Sequence, residues 1–245
     1  MKRVLITGAS SGIGEALVGQ YLQHGFTVLA CGRNAAKLQQ LALANTAVQP
    51  LLFDITEPEQ IAQAASQVSE LDLLILNAGD CRYMDDVMQF DGALFESVLQ
   101  TNLVATGYLL QYLLPKLKPG GQLVLVSSSA TLLPFTRAQA YGASKAGLDY
   151  LAASLRLDLV RHRIGVTLVH PGFIKTPLTD KNDFSMPFLL SAEQAAARIY
   201  QGVLQRKRYL HFPKRLTLLL KTMALLPERL WFWLALRMGQ ATQKH

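Results

Sequence analysis

The sequence predicts an α/β protein built on a doubly wound parallel sheet of about seven strands, and three observations carry that reading. Short runs rich in Val, Ile and Leu alternate with longer amphipathic stretches as far as residue 212. Several of the runs are apolar at nearly every position, as strands covered on both faces require. The segments joining them are short, with no repeat and no Pro/Ser/Gly-rich linker, which suits parallel strands joined by crossover helices. Ligands bind such sheets beyond the carboxyl ends of the strands, so the chemistry should collect there.

In order, the strand runs fall at 3–7 (RVLIT), 27–31 (TVLAC), 49–53 (QPLLF), 72–76 (DLLIL), 121–126 (GQLVLV), 165–169 (GVTLV) and 208–212 (RYLHF). Helical patterns lie near 13–24, 34–44, 57–68, 93–117, 139–161 and 191–205. Pro119-Gly120-Gly121 should stop the long fourth helix before the fifth strand. Ser191, followed by Glu193 and Gln194, can cap the last. One domain over 1–213 with an appended helical tail, 214–245, accounts for the length.

Charge is uneven along the chain. Residues 206–245 hold nine of the 24 Lys/Arg and one of the 17 acidic residues, Glu228, so the remainder has fifteen bases against sixteen acids. The +7 net charge therefore comes from the tail, and the body lacks the basic face of a nucleic-acid-binding domain. Cys31 and Cys81 stand far apart without a CxxC motif and read as reduced thiols of a cytoplasmic protein. The amino terminus enters a strand pattern at once, and its apolar run is too short for a signal peptide. No His/Cys/Asp cluster has metal-ligand spacing, so no metal is expected. A Ser-His-Asp hydrolase would need a Gly-x-Ser-x-Gly elbow, which is missing.

Directly after the first strand comes Thr7-Gly8-Ala9-Ser10-Ser11-Gly12-Ile13-Gly14. Gly8 permits a sharp turn, and Gly12 and Gly14 let a pyrophosphate and the following helix approach closely. The helix N-terminus offers free N–H groups to an anion. At the end of the second strand, where an NAD site usually carries an acid, the chain has Cys31-Gly32-Arg33-Asn34. Gly32 leaves room for a phosphate, and Arg33 can pair with it through charge-assisted bonds, unless it is only a solvated surface arginine.

The spacing Gly-x3-Gly-x-Gly resembles the TGxxxGxG fingerprint of the short-chain dehydrogenase/reductase family, and the resemblance extends over about residues 1–205. It implies a Rossmann-like fold and an oxidoreductase that prefers NADP(H) over NAD(H). By that resemblance Gly8, Ser10, Ser11, Gly12, Ile13 and Gly14 hold the pyrophosphate, and Asp54 meets the adenine amino group with Ile55 beside it. Asn77-Ala78-Gly79 matches the NAG motif against the adenine ribose; for Asn77 a purely structural role is the alternative. Pro171-Gly172-x-Ile174-x-Thr176 matches the motif that holds the nicotinamide amide. His170, just before it, reads as packed or hydrogen-bonded.

Tyr141 and Lys145 are four apart and share a helix face. Ser128, thirteen residues before Tyr141, and Asn102 complete the family's Asn-Ser-Tyr-Lys set; Ser127 and Ser129 are the alternative registers. Carbonyl reduction needs a hydride at carbon and a proton at oxygen. A free tyrosine, with a pKa near ~10, is a poor acid/base at neutral pH. The Lys145 ammonium and an oxidised nicotinamide should favour tyrosinate, and Ser128 should stabilise charge on the substrate oxygen. The resemblance implies that Lys145 also bonds the nicotinamide ribose and that Asn102 holds a relay water.

Leu132, Leu133, Phe135 and a lid over 177–190, with Phe184, Met186, Phe188, Leu189 and Leu190, suggest an apolar carbonyl or alcohol substrate. A nucleotide sensor without turnover is the competing class. In the tail, Lys214–Leu226 and Glu228–Gly239, with Trp231, Phe232 and Trp233, are interrupted by Lys221, Pro227, Glu228 and Arg229, against a single membrane span. Peripheral membrane contact through 214–239, a lid over the substrate pocket, and the interface of a homodimer or higher oligomer all stay open.

Overall fold

The computed structural model describes residues 1–242; residues 243–245 of the expected tail lie outside the described residues. Seven strands, β1 (Arg3–Thr7), β2 (Thr27–Gly32), β3 (Val48–Leu52), β4 (Leu71–Leu76), β5 (Leu117–Val126), β6 (Gly165–Pro171) and β7 (Tyr209–Phe212), form one sheet. Their order is β3-β2-β1-β4-β5-β6-β7 and every neighbouring pair is parallel. Chain order reverses between β1 and β4, which creates a crevice at their carboxyl ends.

Helices cover both faces because adjacent strand residues point to opposite sides. Leu5, Leu74 and Leu123 face one core with α3 (Pro58–Ser66), α5 (Ala105–Leu113) and α6 (Gln139–Asp158). Ile6, Ile75 and Val124 face the other with α1 (Gly12–Gln23), α2 (Ala35–Ala44) and α7 (Ala192–Leu204). The α7 cap is reciprocal: Ser191 Oγ accepts from Gln194 N, and Gln194 Oε1 accepts from Ser191 N, both at 3.2 Å.

Two local expectations are corrected. The helix expected over 93–117 is two helices, α4 (Gly92–Leu99) and α5, joined by a π-helical turn over Gln100–Val104. It ends before Pro119: Pro115 has no N–H to donate to the preceding turn and its ring crowds the carbonyl four residues back, and a 3-10 turn over Leu114–Lys116 closes the helix. Pro119-Gly120-Gly121 therefore lies inside β5. It forms a bulge between the pairs Leu71–Leu117 and Leu73–Gln122, with Gly120 at φ 87°.

The tail folds back as α8 (Lys214–Met223) and α9 (Glu228–Thr242). Leu216, Leu220 and Trp231 close over Leu133, flanked by Leu132, Phe135 and Phe173. Trp231 Nε1 donates to the Pro134 carbonyl at 2.9 Å, and its ring meets Phe135 edge-on at 5.6 Å.

Candidate active site

A cleft of about 700 Å³ opens at the carboxyl ends of β1, β2, β4, β5 and β6. Its wall contains Gly8, Ser10, Ser11, Gly12, Ile13, Arg33, Asp54, Ile55, Asn77, Gly79, Ser128, Tyr141, Lys145, Pro171, Gly172, Ile174 and Thr176. Of the residues singled out from the sequence, Gly14 and Asn102 do not line the cleft, and neither do the substrate-side residues Leu132, Leu133, Phe135, Phe184, Met186, Phe188, Leu189 and Leu190. Gly14 serves packing: a Cβ there would overlap the Gly8 carbonyl oxygen, so only glycine lets α1 approach the loop.

One end of the cleft suits a pyrophosphate. Gly8 and Gly12 take φ of 68° and 55°, and a Cβ on Gly12 would lie 2.9 Å from Thr176. Ser11, the N-cap of α1, makes no side-chain cap bond, whereas Asn34, Asp91 and Ser191 cap α2, α4 and α7 through their side chains. The first amides of α1 are thus left for an anion. The loop is braced from below by Thr7, whose hydroxyl accepts from Asn77 N (3.0 Å) and Ala78 N (3.1 Å), while Asn77 Nδ2 donates to Thr7 O.

Arg33 stands on the rim, 76% exposed, with Nη1 3.2 Å from Asp54 Oδ2. Burial pushes the Asp54 carboxyl up, but hydrogen bonds from Thr56 and the Arg33 charge outweigh it and hold the group below the usual range. Asn34 and Ala35, at the start of α2, and Thr56 also line this end and were not singled out in the sequence. The signal for the first two was available, since Asn34 is a good N-cap directly after Arg33.

At the other end Tyr141 faces the cleft, and Lys145 is enclosed one turn further along α6. Lys145 Nζ donates to Val126 O at 3.0 Å and lies 5.8 Å from the Tyr141 ring centre. Burial drives the ammonium down to about 8, with the nearby Asp149 carboxylate resisting. Burial also pushes the Tyr141 phenol up; the Ser128 hydroxyl pulls it back only in part. The downward shift expected for Tyr141 is therefore not produced by these side chains alone, because desolvation penalises the phenolate more than they compensate.

Of the three adjacent serines, Ser127 and Ser128 line the cleft and Ser129 does not; Ser128 is partly exposed, whereas Ser127 is buried with its Oγ donating to Lys145 O. Asn102, in the π turn, is buried behind Gly79. Its Oδ1 accepts from Asp80 N at 2.7 Å, and its Nδ2 donates to Asp80 O and Ser144 Oγ. The side chain thus ties the segment after β4 to α6. His170 is hydrogen-bonded, as its sequence reading has it: Nε2 lies 2.9 Å from Asp149 Oδ1 and Nδ1 2.9 Å from the Tyr209 hydroxyl.

The segment expected as a lid reaches the cleft through Pro177, Leu178 and Thr179, and beyond them it is pinned. Arg137 reaches Asp85 (2.6 Å) and Asp183 (2.8 Å), and the Tyr83 hydroxyl donates to Asn182 Oδ1 at 3.0 Å. Phe184 packs edge-on to Tyr83 at 5.7 Å. Leu133 is not an open substrate wall, since α8 and α9 cover it.

The enclosed ammonium has a consequence for stability. Lysine titrates near 10.5 without the fold and near 8 within it, so between these values the folded chain binds fewer protons than the unfolded one. Stability then rises with pH across that window, and the penalty of the buried charge is full below it. Lys145→Met should therefore look better against wild type in urea unfolding at pH 7 than at pH 10. An equal difference at both pH values would mean that the ammonium is not desolvated.

Comparison with known proteins matches this geometry. A family model described as short chain dehydrogenase covers residues 2–185. An uncharacterized oxidoreductase of Myxococcus xanthus (strain DK1622) is 32% identical over 240 residues, 94% of each chain. Serine 3-dehydrogenase of Agrobacterium fabrum (strain C58 / ATCC 33970) is 30% identical over 206 residues, covering 82% of this chain and 80% of the relative. A solved short chain dehydrogenase from Burkholderia cenocepacia J2315, in complex with NADP, superposes with a TM-score of 0.78 at 26% identity, over 86% of this chain and 96% of that one.

Proposed function

Because the chain belongs to the short chain dehydrogenase family, we propose that it interconverts a carbonyl and a secondary alcohol with NADP(H), Tyr141 acting as acid and base. The observation that carries this reading is one cleft with an uncapped, glycine-lined helix start at one end and Tyr141, Lys145 and Ser128 at the other. When bound, the cofactor would supply the hydride and, in its oxidised form, a positive charge.

In reduction the Tyr141 hydroxyl gives its proton to the substrate oxygen, and in oxidation its phenolate takes that proton back. The Ser128 hydroxyl holds the same oxygen and stabilises the charge that develops on it. Lys145 favours the phenolate through its charge and holds the nicotinamide ribose. Asn102 acts from behind, keeping α6 and the segment after β4 in register. Support for NADP(H) over NAD(H) comes from Arg33 at the end of β2, from the absence of an acid there, and from the NADP-bound Burkholderia relative. Apolar residues in the lid favour an apolar substrate.

Tyr141→Phe keeps the ring and removes the proton donor. Turnover over a panel of ketones, followed by NADPH absorbance, should fall by about a hundredfold or more while NADPH affinity holds. Turnover near the wild-type rate would remove Tyr141 from the mechanism.

Arg33→Ala should weaken NADP(H) binding by about 1.5–3 kcal/mol, the worth of a charge-assisted hydrogen bond, with little change for NAD(H). Paired titrations decide it: equal losses for the two cofactors would make Arg33 structural, serving only Asp54.

A further inference from the structure

Helices α8 and α9 are apolar on the side turned away from the protein as well as on the side they bury. Inward, Leu216, Leu220 and Trp231 close over Leu133. Outward, Leu218, Leu219, Leu225, Leu226, Phe232 and Trp233 stand in solvent, Leu225 86% and Phe232 63% exposed. An exposed apolar cluster on this scale marks a contact surface.

The charges around the cluster say what covers it. Arg215 and Arg229 stand exposed on the same two helices, Arg237 lies over the Trp233 ring at 3.8 Å, and Lys214 and Lys221 flank them from positions beside His211 and Tyr209. Against these five bases of α8 and α9 stands a single acid, Glu228. A second copy of this face would bring an equal excess of positive charge against it. Residues 1–205 have one acid more than their bases, too little to balance the tail. The fitting partner is therefore anionic at its surface, apolar just beneath, and broad enough to cover two helices and the turn between them. Indole and guanidinium groups beside leucines suit the headgroup level of a bilayer. No helix among the described residues is long and apolar enough to cross a membrane, so the contact is peripheral.

We propose that the outward face of α8 and α9 docks on an anionic lipid bilayer, its leucines and aromatics entering the headgroup boundary and its cations meeting lipid phosphates. The inward faces of these helices cover the loop that follows Ser128, so docking sets that loop on the side away from the lipid. The inference does not depend on the reaction proposed above.

The test is flotation of the full-length protein with vesicles of phosphatidylcholine alone and of phosphatidylcholine mixed with phosphatidylglycerol. Two variants accompany it: Leu225→Ser with Phe232→Ser, and Arg215→Gln with Arg229→Gln. All four positions are exposed, so thermal melting and NADPH binding should match wild type and show each variant to be folded. The wild type should float with the mixed vesicles at low salt, and roughly tenfold less with phosphatidylcholine alone or at high salt. Each variant should lose roughly tenfold in binding to the mixed vesicles. A wild type that stays at the bottom with mixed vesicles overturns the proposal, as do variants that float equally well. Sedimentation of the same samples supplies the remaining outcome. A wild-type dimer that Leu225→Ser with Phe232→Ser dissociates, without flotation, would make the face a contact between copies and overturn lipid docking.

Discussion

Lys145 keeps a charged group inside the protein with the Val126 carbonyl as its nearest acceptor, and much of the site is arranged around that fact. Enclosure acts on its neighbour in the opposite sense: burial lowers the Lys145 pKa and raises that of Tyr141. Each group alone is driven toward its neutral form. In the proposed mechanism a second positive charge next to the phenol would reverse the preference of Tyr141, and the oxidised cofactor would bring that charge. The pair is then poised only when the cleft is filled.

The surrounding structure holds this arrangement from several directions. Gly79 leaves no space to spare: a Cβ there would lie 3.3 Å from Lys145 Nζ and 3.1 Å from Asn102 Oδ1. The π turn places the Asn102 amide between Asp80 and Ser144, fixing the chain after β4 to α6. One turn beyond Lys145, Asp149 binds His170 just before Pro171, which joins α6 to the end of β6. Ends of three neighbouring strands are thus registered on one helix, and the phosphate loop is registered on β4 through Thr7.

The parallel seven-stranded sheet and most of the cofactor-side lining of the cleft were legible in the sequence because they rest on local patterns: apolar runs, glycine spacing, and a four-residue interval on a helix. The departures have equally local causes. Pro119-Gly120-Gly121 carries the signature of a helix stop, yet Pro115 acts first and leaves the glycines to a strand bulge. The π turn at Asn102 has no propensity signature to read. Interval alone brings Tyr141 and Lys145 together but does not reveal how much of each is desolvated. The Arg33–Asp54 pair, 21 residues apart, and the Trp231–Pro134 bond, 97 residues apart, are products of tertiary folding. In the tail helices the leucines and aromatics left in solvent are as apolar as those packed inward, so composition alone did not separate the two sets.

The central claim is that oxidised cofactor, acting with Lys145, converts Tyr141 from a phenol held protonated by burial into a group that exchanges protons near neutral pH. Ultraviolet difference titration of tyrosinate, with the Tyr141→Phe signal subtracted, measures this directly with and without NADP+. The account predicts that NADP+ moves the Tyr141 transition down by at least about two pH units in the wild type and much less in Lys145→Met. A Tyr141 transition that stays in place when NADP+ saturates the wild-type cleft would contradict it.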